Sequence, residues 1–364
     1  MQTFLEAFLV PAIQALVVVM LLLGVVAYIT LLERKVIAFM QVRIGPNRVG
    51  PRGLLQPIAD VVKLLLKEDI IPAKADRFVF WLAPVLATMT AIAALAVIPW
   101  AGTGATLHLF GYEIRPVITD VNVGIIYILS ISSIGVFGIV LGGWASHSKY
   151  PLLGGLRSAA QMISYEVPLG LAIIGALMVA ETASTVKIVE WQAQHTWLFW
   201  LQPVGVLLFY IAGVAENNRA PFDLPEAETE LVAGFHTEYS GMKFAFFFLA
   251  EYIAMIVISA LVVTVYFGGW LPITLGLGHL VPAVPALLSG ASWGGPGVQL
   301  ALGIFWFALK TFLVLYLYLW LRATFPRYRY DQLMEVGWKF MIPVSLAWIL
   351  FTGVVLLAVD ALAA

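Results

Sequence analysis

The distribution of charge along the chain limits its fold more than any other feature. Seventeen of the 20 Lys and Arg residues lie in four stretches, at 33–77, 146–158, 216–243 and 322–339. Around these stretches lie eight apolar runs, and each has the length of roughly 20 residues that a helix needs to cross a bilayer. A chain with this alternation is expected to cross a membrane repeatedly and to carry most of its charge on one side.

The apolar runs predict an all-α polytopic membrane protein that forms one integral-membrane domain over residues 1–364. Hydrophobic residues make up 62% of the chain and charged residues only 11%, which excludes a soluble domain. Helices are expected because a segment in hydrocarbon must satisfy its own backbone hydrogen bonds. The predicted spans are 8–32, 78–100, 124–145, 159–180, 198–216, 243–268, 299–321 and 339–361.

A further apolar segment, at 271–291, is interrupted by three prolines. Proline lacks a backbone donor and interrupts helices, so we expect a loop or half-helix here, with a ninth span as the alternative. The positive-inside rule places the four charged stretches in the cytoplasm, or its organelle equivalent, and both termini on the outer side. The net charge of −1 does not favour nucleic acid as a partner.

The absence of cysteine limits the chemistry of the chain. With no Cys, the chain has no disulfide, no iron–sulfur cluster and no Cys-ligated haem or zinc. The five His residues show no metal-ligand spacing. We therefore expect no redox cofactor on this chain, so any redox cofactors belong to other subunits.

The first charged stretch, 33–77, contains an amphipathic helix at 53–67. Its polar residues are Gln56, Asp60, Lys63 and Lys67, and their spacing forms one narrow helical face. Such a helix lies at the membrane interface or against the bundle, and a plain interfacial anchor fits the pattern equally well. The Arg-rich segment before it, 41–53, suits either phospholipid headgroups or an acidic partner surface.

The third charged stretch, around 216–242, is rich in acidic residues. Asp223 and Glu226 fit a variant of the capping box at a helix start, and Glu226 and Glu230 then share one helical face. Close packing of such carboxylates raises their pKa values and favours proton exchange near neutral pH. A solvated acidic face is the simpler alternative.

Two carboxylates lie inside apolar runs, Glu166 in the fourth and Glu251 in the sixth. An ionised carboxylate at mid-membrane costs on the order of 2.5–3.5 kcal/mol, so such a residue is a proton-path hypothesis by default. A buried Glu that is hydrogen-bonded for packing is the alternative. The predicted path consists of Glu166, Glu216, Glu226, Glu228, Glu230 and Glu251.

Several blocks in all four charged stretches resemble one family, the H subunit of proton-pumping NADH:quinone oxidoreductase, respiratory complex I. The block at 221–232 reads PFDLPEAETELV and is the most specific. The other blocks include 33–35, 45–51, 163–166, 238–241 and 329–334.

The resemblance implies a subunit at the junction of the membrane and peripheral arms, with five helices arranged like half an antiporter. The first span, the interfacial helix and the sixth span would frame a quinone chamber, and the carboxylates would couple quinone reduction to proton pumping. Quinone is the implied substrate, with NADH, FMN and the iron–sulfur clusters on partner subunits. The implied location is a bacterial plasma membrane or an organelle inner membrane.

The resemblance also assigns residues to the chamber and to docking. The implied chamber residues are Glu33, Arg34, Arg43, Asp60 and Arg322. The implied docking residues, which would meet the quinone-site subunit and the subunit with the terminal iron–sulfur cluster, are Arg48, Arg52, Arg219, Asp223, Arg327 and Arg329. Small membrane subunits and lipid would surround the rest.

One position departs from the family pattern. Some members carry an acidic residue in the third span, where this chain has Ser132 and Ser133. Water or a neighbouring subunit would have to replace that carboxylate. Three other interpretations stay open: a stand-alone proton or cation transporter, the homologous membrane subunit of an energy-converting hydrogenase, and a structural anchor without a proton role.

Overall fold

The structure is a computed structural model, and helices form nearly all the regular structure of its described residues. It describes residues 10–102, 104–109, 112–114, 116–223, 233–274, 276, 278, 283–290 and 294–363. The elements in chain order are α1 (Val10–Met40), α2 (Gln56–Leu66), α3 (Arg77–Ala94), β1 (Leu107–Leu109), β2 (Tyr112–Ile114), α4 (Gly124–Ala145), α5 (Lys149–Ala180), α6 (Thr185–Gln194), α7 (Leu198–Leu201), α8 (Pro203–Glu216), α9 (Gly241–Tyr266), α10 (Ala283–Leu288), α11 (Pro296–Thr324), α12 (Tyr330–Glu335) and α13 (Ile342–Ala363). The two strands form a small antiparallel hairpin.

Among the described residues, seven helical segments are long and apolar enough to cross a membrane. They are α1, α3, α4, α5, α9, α11 and the continuous α12–α13 segment, which contains a π-helical turn at Val336–Met341. The prediction of an all-α polytopic membrane protein is therefore confirmed. We call the end of the bundle that carries the four charged stretches the charged end, and the opposite end the far end.

The predicted span at 198–216 is a broken helix. α7 and α8 are separated at Gln202, because Pro203 restricts the residue before it and begins a new helix without needing an amide partner. The Gln202 side chain fills the break: it accepts from Trp348 Nε1 at 2.5 Å and donates to Thr352 Oγ1 at 3.2 Å. The break is thus tied to α13.

Two spans extend further towards the charged end than their hydropathy predicts. α1 continues past 32 to Met40, and α5 begins at Lys149 rather than at 159. Hydropathy reports where lipid ends, whereas backbone hydrogen bonding continues a helix into polar surroundings. Residues 33–40 and 149–158 are therefore helical, and Glu33 lies on a rigid element.

The ninth span is not seen in the described part of 271–291. The only helix there is α10, which has six residues. In the first charged stretch, the predicted amphipathic helix begins at Gln56 instead of 53. It packs against α1 and α9, and its outward apolar side chains include Ile58, 54% exposed, and Leu66, 81% exposed.

Helix α9 lies at the centre of the bundle. Of its most apolar 18 residues, 67% are buried, compared with 11% for the α12–α13 segment. It packs against α3, α8 and α11. Because α9 carries Glu251 near its middle, the fold places this carboxylate inside the protein rather than in lipid.

Candidate functional site

A cavity of about 120 Å³ between α3, α4, α8 and α9 is lined by both Glu216 and Glu251. We call it the carboxylate cavity. Its other polar lining includes Ser132, Asn217 and His236. A space of this volume with several polar groups can hold a few water molecules. Two of the predicted path residues therefore line one cavity, whose walls are mostly apolar apart from these polar groups.

The first pair of carboxylates meets at the two serines of the third span. Ser133 Oγ donates a hydrogen bond to Glu166 Oε1, and the neighbouring Ser132 lines the carboxylate cavity together with Glu216. Glu216 is only 6% exposed and ends α8, so it faces the interior. The serines thus connect the α5 carboxylate to the carboxylate cavity at the position where the family pattern has an acid.

The second group of charges forms around one guanidinium, and we call it the arginine network. Arg219 Nε lies 2.5 Å from Glu251 Oε1, and Arg219 Nη1 lies 3.4 Å from Glu33 Oε1. Glu33 also pairs with Arg322 and accepts a hydrogen bond from the Tyr252 hydroxyl at 2.6 Å. Four segments, α1, α9, α11 and the loop after α8, therefore meet at buried charges.

Electrostatics keeps Arg219 charged although it is only 6% exposed. Burial disfavours the guanidinium, but the carboxylates of Glu251 and Glu33 outweigh it, so the Arg219 pKa lies well above its usual range. Its guanidinium also lies 4.5 Å from the Tyr252 ring centroid. A permanent positive charge thus bridges two acids.

His236 is a polar residue of the cavity that the sequence did not single out. It lies among Phe235, Phe244 and Phe248, and its Nδ1 has no partner among the described residues. Burial lowers the His236 pKa to about 4, so the ring is neutral at physiological pH. A neutral imidazole leaves one ring nitrogen free to accept from a water in the cavity.

The predicted chamber residues form two groups. Glu33 and Arg322 belong to the arginine network. Arg34, on the next position of α1, pairs instead with Asp60 of α2 at 2.7 Å, so α2 is held against α1 by charge. Arg43 is exposed and donates to Gln41 Oε1 at 2.7 Å, away from both groups.

The predicted docking residues are only partly at the surface. Arg48 and Arg52 are exposed, and Arg329 is exposed and pairs with Asp331 at 2.5 Å. Arg219 and Asp223, 6% and 5% exposed, lie instead in the interior. Their docking assignment needs a correction, because a residue enclosed by its own chain presents no surface to a partner.

Asp223 is linked to the surface through an exposed arginine. Its Oδ2 pairs with Arg327 Nη2 at 3.2 Å, and the Arg327 side chain is 47% exposed. Glu226, Glu228 and Glu230 lie outside the described residues. In the part of the chain that is described, no cluster of three His, Asp or Glu residues comes together as a metal site would require.

Sequence reasoning missed the roles of five contributors: His236, Arg219, Tyr252, Ser132 and Ser133. Arg219 reads as a surface cation because it lies in a polar loop, and nothing local shows that two acids enclose it. Tyr252 follows Glu251 directly, and this adjacency was the available signal. The serines were noted only as a missing acid, although their hydroxyls make the contacts.

The chain matches the model of one protein family, described as NADH dehydrogenase, over residues 13–353. A protein of Geobacter metallireducens, named as the second of its H subunits of NADH-quinone oxidoreductase, is 48% identical over 359 residues, which cover 96% of each chain. The H subunit of the Rhodospirillum rubrum enzyme is 47% identical over 366 residues, covering 100% of this chain and 99% of that one.

A third relative, named as the first H subunit of NADH-quinone oxidoreductase in Geobacter sulfurreducens, is 49% identical over 353 residues, covering 94% of this chain and 93% of the relative. Identity of this level over nearly full length does not arise from shared hydrophobicity alone. The chain belongs to the NADH dehydrogenase family, among relatives named as H subunits of NADH-quinone oxidoreductase.

Proposed function

We propose that this chain is the subunit of a proton-translocating NADH:quinone oxidoreductase that forms the quinone access chamber and links quinone reduction to proton movement. The names of its near full-length relatives support the enzyme. The buried charges support the coupling role. The chain contributes no redox cofactor in this proposal, and NADH, FMN and the iron–sulfur clusters belong to partner subunits.

One observation carries the coupling proposal: the arginine network and the carboxylate cavity share Glu251. This residue pairs with Arg219 on one side and lines the cavity with Glu216 on the other. The serines lie between Glu216 and Glu166: Ser132 lines the cavity with Glu216, and Ser133 donates to Glu166. Dissociable groups therefore follow one another from α1 to α5, with the carboxylate cavity between Glu251 and Glu216.

The shared guanidinium gives the coupling a physical basis. Quinone reduction adds two electrons and takes up two protons, so negative charge and a demand for protons arise beside the chamber. Glu33 and Glu251 compete for the same Arg219, so protonation of one carboxylate strengthens the hold of the cation on the other. At roughly 4 Å and an effective dielectric constant near 20, such an interaction is worth about 4 kcal/mol.

An apolar cavity supports lateral access for a quinone tail. It has a volume of about 780 Å³ and runs along α1 from Val10 to Ile29, between α9 and α11. Ile29 is one helical turn from Glu33, so the apolar space ends next to the arginine network. The apolar tail of a quinone matches this cavity, and its polar headgroup matches the arginine network at the end of the cavity.

The exposed cations at the charged end are proposed to dock the peripheral arm. Arg48, Arg52, Arg327 and Arg329 are available for this role, whereas Arg219 and Asp223 are not proposed for it. The proposed location is a bacterial plasma membrane or organelle inner membrane. In this arrangement the charged end faces the cytoplasm or its organelle equivalent.

The test is a Glu251→Gln variant of the complete complex in proteoliposomes. The amide keeps the side-chain shape but cannot exchange a proton with the cavity. We expect the number of protons pumped per NADH oxidised to fall severalfold, with assembly intact. Proton uptake would be measured with a trapped pH dye alongside NADH oxidation.

The matched control is Glu181→Gln, which changes an exposed acid after α5 at the far end. It should pump like the wild type. Wild-type pumping per electron in Glu251→Gln would remove this residue from the path. A purified chain that runs alone at 39.8 kDa and still moves protons would instead favour a stand-alone transporter.

A further inference from the structure

A buried lysine at the far end of the bundle belongs to neither the arginine network nor the carboxylate cavity. Lys310 lies in the middle of α11 and is 5% exposed. Its Nζ donates to the backbone oxygens of Phe267, at 2.7 Å, and Leu271, at 2.8 Å. Among the described residues no carboxylate lies within 4.0 Å of it, and the ring centroid of Trp197 lies 5.1 Å away.

The first carbonyl belongs to the residue that directly follows α9, and the second belongs to the turn beyond it. A helix leaves its last four carbonyls without partners inside the helix. Gln192 Nε2 donates to the oxygens of Thr264, at 3.0 Å, and Val265, at 3.1 Å. Its Oε1 accepts from the Gly268 amide at 3.0 Å. We call Gln192, Trp197 and Lys310 the far-end cap.

The far-end cap lies directly beyond the carboxylate cavity. On α9 the lining of that cavity runs from Phe247 to Leu261. The residues from Val262 to Tyr266 are all buried. At 1.5 Å per residue, about 9 Å of packed helix separates Leu261 from Phe267. Along α9, the buried segment from Val262 to Tyr266 and the far-end cap therefore separate the carboxylate cavity from the far end.

We propose that Lys310, through the far-end cap, closes the carboxylate cavity to water and protons from the far end. Unpaired carbonyls in a low-dielectric site recruit water, and a chain of waters conducts protons. Lys310 and Gln192 of the far-end cap donate hydrogen bonds to these carbonyls, so the carbonyls do not bind water. In its protonated form the Lys310 side chain also repels hydronium and other cations, as fixed positive groups do in selective pores.

Hydrogen bonding to carbonyls does not explain why the side chain at position 310 is basic rather than neutral. Gln192 shows that a neutral side chain satisfies two neighbouring carbonyls, those of Thr264 and Val265 in the last turn of α9. Burying an ammonium is costly unless charge is needed, and among the described residues Lys310 contacts two carbonyl oxygens and an aromatic ring rather than a carboxylate. An electrostatic barrier explains the retention of a cation at this place.

The experiment measures passive proton flux in proteoliposomes that contain the complete complex, without NADH or quinone. A potassium gradient with valinomycin sets the membrane potential, and a trapped pH dye reports the flux. For Lys310→Met we expect a severalfold higher flux than for the wild type. NADH:quinone reductase activity in the presence of an uncoupler should stay near wild type.

Two further variants isolate the charge. Lys310→Arg keeps the cation and should restore low flux, whereas Lys187→Met removes an exposed far-end lysine and should change nothing. If Lys310→Met does not assemble, Lys310→Gln replaces it, because the amide keeps a donor to the carbonyls without the charge. Wild-type flux in the neutral variant that assembles overturns the proposal.

Equal leak through Lys310→Arg and Lys310→Met would also overturn the role given to charge. The proposal goes beyond the proposed coupling function. Because the flux is measured without turnover, its outcome is independent of whether Glu251 carries protons. A Glu251→Gln complex that pumps normally leaves this measurement unaffected.

Discussion

At the scale of single residues, the charged groups are defined by the partners they share. Arg219 serves two acids, and Glu33 receives two cations and a tyrosine hydroxyl. The importance of Glu166 and Glu251 could be predicted from the sequence, because an ionised carboxylate within an apolar run is costly. The partners could not, because Arg219 and Glu33 are 186 residues apart and no local pattern links them.

His236 provides a pH-dependent prediction at this scale. Its folded-state pKa is about 4, against an ordinary value near 6.5. As the pH falls from 6.5 towards 4, the His236 imidazole binds a proton in the unfolded chain but stays neutral in the folded chain. The free energy of unfolding should therefore fall by at most about 1.4 kcal/mol per pH unit through this residue.

The measurement compares thermal inactivation midpoints of the solubilised complex between pH 7 and pH 5, for the wild type and His236→Gln. The wild type should lose stability relative to the variant as the pH falls. Parallel curves for the two proteins would show that His236 is not buried as a neutral ring.

At the scale of elements, the helices are longer and more broken than hydropathy shows. A hydropathy pattern locates the lipid-facing part of a span, so the extensions of α1 and α5 were not visible in it. The break between α7 and α8 was signalled by Pro203, but its tie to α13 depends on Gln202 and Trp348, which lie 146 residues apart. Tertiary contacts of that kind are not encoded locally.

Close helix packing gives the prediction at this scale. A Cβ atom at Gly138 of α4 would lie 2.9 Å from Ala87 N and 3.0 Å from Ala83 O, both backbone atoms of α3. Small residues allow such close approach between membrane helices. Gly138→Ala should therefore force α3 and α4 apart and destabilise the protein by about 1–3 kcal/mol.

Gly170→Ala in α5 is the matched control, because nothing lies within 4 Å of its added Cβ. The readout is the fraction of complex that survives heating in detergent, measured on a native gel. Equal survival of the two alanine variants would contradict the close approach of α3 and α4.

At the scale of the whole molecule, the sequence predicted the class of fold because hydrocarbon permits few solutions. The all-α architecture and most spans followed from charge and hydropathy. The arrangement of those spans did not follow from either, since it depends on which faces pack together. Helix α9 reads like any other span, although it is the most buried one.

The orientation of the bundle is testable because the chain has no cysteine. Lys74→Cys lies at the charged end and Lys187→Cys at the far end, and both positions are exposed. An impermeant maleimide should label Lys187→Cys from the outside of intact cells and Lys74→Cys only in inverted vesicles. The opposite result for Lys187→Cys would reverse the orientation.

The arginine network also has a consequence for biosynthesis. Glu33 and Arg322 are 289 residues apart, so the ribosome must add all of the residues between them before this pair can form. The first helix inserts while its acid still lacks every native counter-charge. Because Glu33 lies in the extension of α1 towards the charged end, it can wait among hydrated lipid headgroups. When α11 has been made, Arg322 pairs with Glu33 and the carboxylate becomes buried in the bundle.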